Sequence, residues 1–130
     1  MGSARRHVHV KCSPDEAWTL IGDPTRLSEW WAMESCRVDG NKRWITLPTK
    51  LTLEEDIVTI DNDLRRFQYS IVPNMLITQH LSTVDVLDNA NGHCTIVYSV
   101  DVKPDVFALV IAGAAGEALE QARTMLENQK

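Results

Sequence analysis

The sequence predicts an α+β fold in which a curved antiparallel sheet packs against one long C-terminal helix. Three observations support this class. An alternating strand and two short helices open the chain, six strand-like segments separated by turn residues follow between positions 33 and 103, and an apolar stretch at helical spacing closes it. Sequential strands followed by one helix differ from the alternating strands and helices of a parallel sheet.

The opening segment combines alternation with two helix start signals. Residues 6–12 alternate, with Val8, Val10 and Cys12 on one face and His7, His9 and Lys11 on the other. The run Ser13-Pro14-Asp15-Glu16 is a capping box with proline at the first helical position, and the helix is expected to stop at Gly22. Asp23-Pro24 predicts a second short helix that ends around residues 27–31.

The middle of the chain is predicted to form a meander of six strands. Clusters of Gly, Pro, Asn and Asp separate the strand-like runs, as is typical of turns between antiparallel strands. The predicted strands cover residues 35–39, 43–47, 51–60, 65–72, 77–87 and 94–102.

The last helix is predicted over residues 105–128, with Asp105 as its N-cap. Nearly every residue from 106 to 115 is apolar, which predicts burial on all sides, and only one stripe stays apolar afterwards. Gly113 and Gly116 each cost about 1 kcal/mol relative to alanine inside a helix. Two interpretations are open: close packing of the helix on the sheet, or space left beside the helix for a ligand.

Composition limits the classes of function. The chain has 130 residues, a length that predicts one domain over 1–130, with 44% hydrophobic residues and a net charge of −5. An acidic chain argues against nucleic-acid binding, and no apolar run reaches the length of a membrane span or signal peptide. The three widely spaced cysteines are expected to be reduced thiols, which indicates a cytoplasmic protein. The protein is expected to be a monomer or a homodimer.

No sequence motif indicates a cofactor or a metal. Glycine-rich nucleotide motifs and nucleophile elbows are absent from the sequence. His7 and His9 share the outer face of the first strand without an evident third ligand, so no metal site is expected.

Strand parity directs several polar side chains toward the helix. Among apolar neighbours, the inward positions include Glu55, Tyr69, His80, Ser82 and Tyr98, and a bulge near Val58 would explain why Val58 and Ile60 are also apolar. Buried polar groups are costly unless they are paired. They predict either satisfied core hydrogen bonds or a wet or ligand-filled interior.

These features together resemble the SRPBCC superfamily, which includes START-type lipid carriers and polyketide cyclase/dehydrase-like proteins with the helix-grip fold. The resemblance covers nearly the whole chain and is nearest to the bacterial polyketide cyclase/dehydrase-like branch. The residues that carry it are Val10, Ser13, Pro14, Glu16, Trp18, Gly22, Asp23, Pro24, Trp30, Arg43, Glu55, Asp61, Tyr69, Ile71, Thr83, Val84, Val86, Asp101, Pro104 and Asp105.

The resemblance implies a seven-stranded antiparallel sheet wrapped around the last helix, two short helices between strands 1 and 2, and a cavity between sheet and helix. Members bind hydrophobic or amphipathic small molecules, and some are enzymes. This sequence departs from the pattern at His80, where members often carry an aromatic residue. No established catalytic set matches residue by residue.

Three functions follow as hypotheses. The first is binding of a small hydrophobic molecule such as a lipid, polyketide or isoprenoid-like compound. The second is a cyclase, dehydratase or isomerase in which Glu55, His80 and Tyr69 carry acid–base catalysis. The third is a protein-interaction module. The predicted ligand-binding residues are Trp30, Trp31, Tyr98, Ser82, Phe67, Phe107, Ile111 and Ala115.

Overall fold

A computed structural model describes residues 1–129 as seven strands and three α-helices. The strands are β1 (Gly2–Val10), β2 (Ser35–Asp39), β3 (Lys42–Thr46), β4 (Thr52–Asp61), β5 (Arg66–Ile71), β6 (Gln79–Asp88) and β7 (Cys94–Lys103). The helices are α1 (Pro14–Ile21), α2 (Leu27–Trp30) and α3 (Phe107–Glu127), with a 3-10 turn at Pro24–Arg26 before α2. This arrangement confirms the predicted fold class.

All strands belong to one antiparallel sheet with the order β1-β7-β6-β5-β4-β3-β2. Strands β2 to β7 follow the chain as a meander, and β1 pairs with β7. The first strand therefore adds to the end of the meander, and α3 packs against β1 and β7. The buried faces of sheet and helix form the core.

The two predicted N-caps before α2 are present. The Ser13 hydroxyl accepts a hydrogen bond from the backbone N–H of Glu16 at 3.1 Å, and Gly22 is the C-cap of α1. Asp23 accepts from the backbone N–H of Thr25 at 2.9 Å and so begins the 3-10 turn. These caps satisfy N–H groups that a helix start leaves unpaired.

Strand β4 contains the predicted irregularity. Its register with β5 shifts between Ile57 and Thr59, which places Val58 on the exposed side. Before the shift, Glu55 keeps the inward orientation that strand alternation predicts.

The start of α3 differs from the prediction. Its N-cap is Val106, which makes no side-chain capping bond. The carboxylate of Asp105 lies 3.3 Å from the N-terminal ammonium of Met1 instead. Strand β1 begins beside the start of α3, so the Asp105 carboxylate pairs with the ammonium group of Met1 and does not cap the helix.

The prediction that the first half of α3 is buried on all sides is wrong. Val106, Leu109 and Val110 are exposed, and the buried stripe consists mainly of small residues. The helix covers the sheet with one face only, so its other face stays in solvent despite its apolar sequence. The buried positions are Ala108, Ala112, Ala115, Ala118, Leu119, Ala122 and Leu126. No helix within residues 1–129 has the length and hydropathy needed to cross a bilayer.

Neither glycine of α3 belongs to the buried stripe. A Cβ at Gly113 would meet no atom within 4 Å, and one at Gly116 would lie 3.7 Å from the side chain of Arg6. Both positions therefore have room for a Cβ, and the buried contacts of the helix come mainly from alanines.

We expect Gly113→Ala to stabilise the fold by about 1 kcal/mol, because alanine loses less backbone entropy in a helix and the site has open space. Urea unfolding measures this change in the free energy of unfolding, provided that its dependence on urea concentration is the same in both proteins. A loss of stability would mean that the helix is closely covered at this position.

Candidate ligand-binding cavity

A cavity of about 180 Å³ lies between the inner face of β3–β7, the segment after α2, and α3. Its wall is mostly apolar, with polar groups contributed by several strands. The lining residues are Leu27, Trp31, Ala32, Met33, Ile45, Leu47, Leu53, Glu55, Tyr69, Ile71, His80, Tyr98, Val110, Ile111 and Ala114. Val110 and Ala114 line the cavity and are also solvent-exposed, so the cavity approaches the surface along this side of α3.

A buried ion pair contributes one residue to this wall, because Glu55 lines the cavity and its partner Arg43 lies outside the lining. Arg43 and Glu55 are register partners on β3 and β4, and their exposed fractions are 1% and 2%. Nε of Arg43 donates to Oε1 of Glu55 at 2.7 Å, and Nη2 lies 2.7 Å from the same oxygen. The guanidinium also lies 4.8 Å from the ring centre of Tyr69. The pair joins two strands at the edge of the cavity.

Burial dominates the protonation of Glu55. Desolvation raises the pKa of this carboxyl group, and the charge and hydrogen bond of Arg43 oppose the rise. Sequence reasoning did not place Arg43 inside the fold. Its parity with the buried Ile45 on β3 was the signal that could have located it.

A second polar feature is a buried hydrogen-bond chain across β5, β6 and β7. The hydroxyl oxygens of Tyr69 and Tyr98 are 2.7 Å apart, and Tyr98 lies 2.6 Å from the Ser82 hydroxyl. Ser82 Oγ is 2.8 Å from Nε2 of His80. Nδ1 of His80 accepts the backbone N–H of Ile71 at 2.9 Å. The chain therefore leads from a strand backbone to a tyrosine hydroxyl at the cavity.

The position of His80 follows from the sheet. The β5–β6 ladder ends at the pair Tyr69–Ser82, and continuing its register would place Ile71 opposite His80. There the imidazole takes the N–H of Ile71, and the hydroxyl of Ser70 donates to the carbonyl oxygen of His80 at 2.5 Å. Side chains thus complete the pairing where the strands separate.

Burial also shifts the titration of this chain. Desolvation lowers the pKa of His80 to about 4, against a smaller opposing effect of Asp101. Desolvation raises the pKa of Tyr69 to about 12 and raises that of Tyr98 well above its usual range. At neutral pH all three groups are therefore neutral.

Trp31 lines the cavity beside Tyr98. Its ring centre lies 5.6 Å from that of Tyr98, and its indole Nε1 is buried without a hydrogen-bond partner among residues 1–129. A buried donor without an acceptor is uncommon in proteins. A ligand or a water molecule in this region would satisfy it.

The structure brings six predicted site residues together on the cavity wall, namely Glu55, Tyr69, His80, Trp31, Tyr98 and Ile111. Ser82 is fully buried behind Tyr98. Trp30 and Phe67 line a separate void of about 10 Å³ beside Arg43.

Two further predicted binding residues lie outside the cavity lining. Phe107 is half-buried against the core, and Ala115 is fully buried in it. Ala114 and Val110 line the cavity but were not among the predicted residues. Their part in the cavity depends on which side of α3 faces the sheet, and an almost wholly apolar segment carries little information about that side.

The described residues, 1–129, contain no group of three or more His, Cys, Asp or Glu side chains arranged to hold a metal ion. The cavity is therefore described by its apolar wall, its ion pair and its hydrogen-bond chain.

Comparisons with known proteins agree with this architecture. The sequence profile of the family described as "Polyketide cyclase / dehydrase and lipid transport" matches residues 1–129. No curated protein sequence matches the chain. Among solved structures, the protein XoxI from Bacillus cereus is similar with a TM-score of 0.91 and 22% identity, covering 98% of this chain and 97% of that one.

Two other solved structures share the fold. A protein from Thermobifida fusca has a TM-score of 0.76 and 23% identity, with 100% of this chain and 98% of that chain covered. Norcoclaurine synthase from Thalictrum flavum, in complex with dopamine and hydroxybenzaldehyde, has a TM-score of 0.76 and 18% identity, with 98% and 87% covered. At these identities the likeness concerns the fold.

Proposed function

The chain belongs to the polyketide cyclase/dehydrase and lipid transport family, and we propose that it binds a small hydrophobic or amphipathic molecule in the cavity beneath α3. The observation that carries this proposal is a mostly apolar cavity in which the polar groups of Tyr69, Tyr98 and His80 lie together and form its polar end. Such a wall favours a ligand that buries an apolar body and places one polar group against the protein.

The volume of the cavity limits the size of its occupant. An engineered apolar cavity of about 150 Å³ accepts benzene, and pockets for drug-sized ligands span about 300–1,000 Å³. At about 180 Å³, the cavity suits a single-ring compound or the end of a longer chain. A complete long-chain lipid would have to leave most of its length outside.

The test of binding uses toluene as an apolar single-ring probe, followed by amide chemical shifts in titrations of the protein. We expect saturable shifts at Ile111 and at the Trp31 indole, and their loss in Ala114→Phe, because a phenyl ring at position 114 would occupy cavity volume. Ala114 is exposed on its other side, so the larger side chain has room to adjust without unfolding the helix.

Gly113→Leu is the matched control, since it adds a large side chain on the same helix where a Cβ meets open space. It should keep toluene binding. Absence of saturable shifts in the unmodified protein, or equal shifts in Ala114→Phe, would contradict a binding cavity. If toluene binds as expected, native mass spectrometry of protein purified from its own host would identify any natural ligand that co-purifies.

A second candidate function is acid–base catalysis next to a carbonyl group. The observation that favours it is the desolvated carboxyl of Glu55 on the same wall as the hydroxyl of Tyr69. Such a carboxyl can remove a proton from carbon while a hydroxyl donates to the oxygen. The test is exchange of the methyl protons of acetophenone in D₂O, which an enzyme would accelerate and Glu55→Gln would abolish. Exchange at the buffer rate would leave binding alone.

A further inference from the structure

The hydrogen-bond chain has a fixed direction, and its fixed end is a backbone group. The backbone N–H of Ile71 can only donate, so Nδ1 of His80 must present a lone pair to it. A neutral imidazole with an unprotonated Nδ1 carries its proton on Nε2. Nε2 of His80 therefore donates to the hydroxyl oxygen of Ser82, 2.8 Å away.

The direction passes from Ser82 to the two tyrosines. Since Ser82 accepts from His80, its own proton is free to point at the Tyr98 oxygen at 2.6 Å. Tyr98 cannot point its proton back at the same contact, and donating to Tyr69 at 2.7 Å gives that proton an acceptor within the protein. The Tyr69 proton is the last one. Besides Tyr98, the Ser82 hydroxyl interacts with Tyr69, but more weakly, and Ser82 already accepts from His80.

The opposite direction is less favourable because it leaves a different hydroxyl proton without an acceptor. If Tyr69 donated to Tyr98 and Tyr98 to Ser82, the Ser82 proton would be the one without an acceptor. Ser82 is fully buried and does not line the cavity, so no ligand or cavity water would reach it. Leaving a donor unpaired in the core costs roughly 1–3 kcal/mol. Tyr69 lines the cavity, where an incoming group accepts its proton.

We infer that the polar end of the cavity takes a neutral acceptor oxygen, as in an aryl or alkyl ketone or aldehyde, which receives the hydroxyl proton of Tyr69. His80 acts as a positioning residue that sets the direction of donation. This inference rests on the proposed function, because it names the chemical class of ligand for the same cavity.

Two further features agree with a neutral acceptor. The unpaired indole N–H of Trp31 is a second donor among the lining residues, and its ring offers a flat surface beside Tyr98. The one charged residue of the lining, Glu55, is paired with Arg43 outside it, so the cavity presents no unpaired positive charge with which to hold an anion.

The test compares two probes of nearly the same shape, acetophenone and 2-phenylpropene, in which a CH₂ group replaces the carbonyl oxygen. Dissociation constants are measured by chemical-shift titration for the unmodified protein and for Tyr69→Phe. We expect Tyr69→Phe to weaken acetophenone binding about five-fold, the effect of losing one net hydrogen bond, and to change 2-phenylpropene binding by less than about two-fold. Comparing the variant with the unmodified protein cancels the different hydration of the two probes.

The role of His80 has its own readouts. Nitrogen-15 NMR at neutral pH should show the tautomer protonated at Nε2. His80→Gln, whose amide can accept from Ile71 and donate to Ser82, should retain the five-fold effect of Tyr69→Phe, and His80→Leu should reduce it toward one. If His80 had a purely structural role, the effect of Tyr69→Phe on acetophenone binding would be the same in folded His80→Gln and in folded His80→Leu.

The outcomes separate the two proposals. If neither probe binds the unmodified protein, the proposed function fails and the inference fails with it. If both bind and respond equally to Tyr69→Phe, binding stands and the acceptor inference is overturned. A tautomer protonated at Nδ1 would overturn the direction of the chain by itself.

Discussion

Arg43→Met is expected to destabilise the fold by about 3–5 kcal/mol, because it leaves the carboxylate of Glu55 buried without its partner. Methionine retains much of the length of the side chain, so loss of packing volume is small and loss of charge is large. Part of the cost is avoided if Glu55 binds a proton, and its raised pKa favours that response. Urea unfolding near neutral pH measures the effect.

Two controls test this explanation. Arg43→Met combined with Glu55→Leu removes both charges and should recover most of the lost stability, since a buried pair replaced by apolar groups is often neutral. Arg37→Met changes the same residue type on β2, where the exposed guanidinium lies over Trp44, and should cost at most about 1 kcal/mol. A double variant as unstable as the single one would mean that shape, not charge, governs this site.

Stability is expected to fall by about 2 kcal/mol between about pH 7 and about pH 5 through His80 alone. The pKa of this imidazole is about 4 in the folded protein and near its ordinary value of 6.5 when unfolded. The unfolded chain therefore binds more protons in this window. The stability contribution is complete above the unfolded pKa and is lost progressively as the pH falls toward 4.

His80→Gln removes the titrating ring and should flatten this part of the profile, even if its stability at neutral pH is lower. The difference between the two proteins at each pH isolates His80, because the other titrating groups are common to both. Parallel profiles would show that the imidazole is accessible to protons in the folded state. That result would also weaken the fixed direction of the hydrogen-bond chain.

Much of the candidate site was accessible from strand parity. Alternation placed Glu55, Tyr69, His80, Ser82 and Tyr98 inside, and all five are buried. Their functional roles remain predictions. Arg43 was not predicted to be buried, because a basic residue in a short strand is ordinarily solvent-exposed. Its inward orientation follows only from its alternation with Ile45 on the same strand.

The last helix was harder to interpret, for a physical reason. From residue 106 to 116 it is almost entirely apolar or small, so its periodicity does not distinguish the sheet side from the solvent side. In the folded protein the alanine stripe packs against β1 and β7, and Leu109 and Gly113 are exposed to solvent.

Local patterns in the sequence suffice to predict the order of elements, the caps of the first helices, the bulge in β4 and the inward faces of the strands. These depend on interactions between residues close in the chain, or on a period of two that each strand carries independently. Such features can be read without knowing what lies opposite.

Which inward groups meet depends on the packing of the elements against one another. The pairing of Arg43 with Glu55, the chain from Ile71 to Tyr69, and the cavity beside Ala114 each need two or more strands, or a strand and a helix, at a set distance. Distances between elements follow from register and from helix rotation, which no local pattern encodes. The direction of donation toward Tyr69 exists for that reason only in the folded protein.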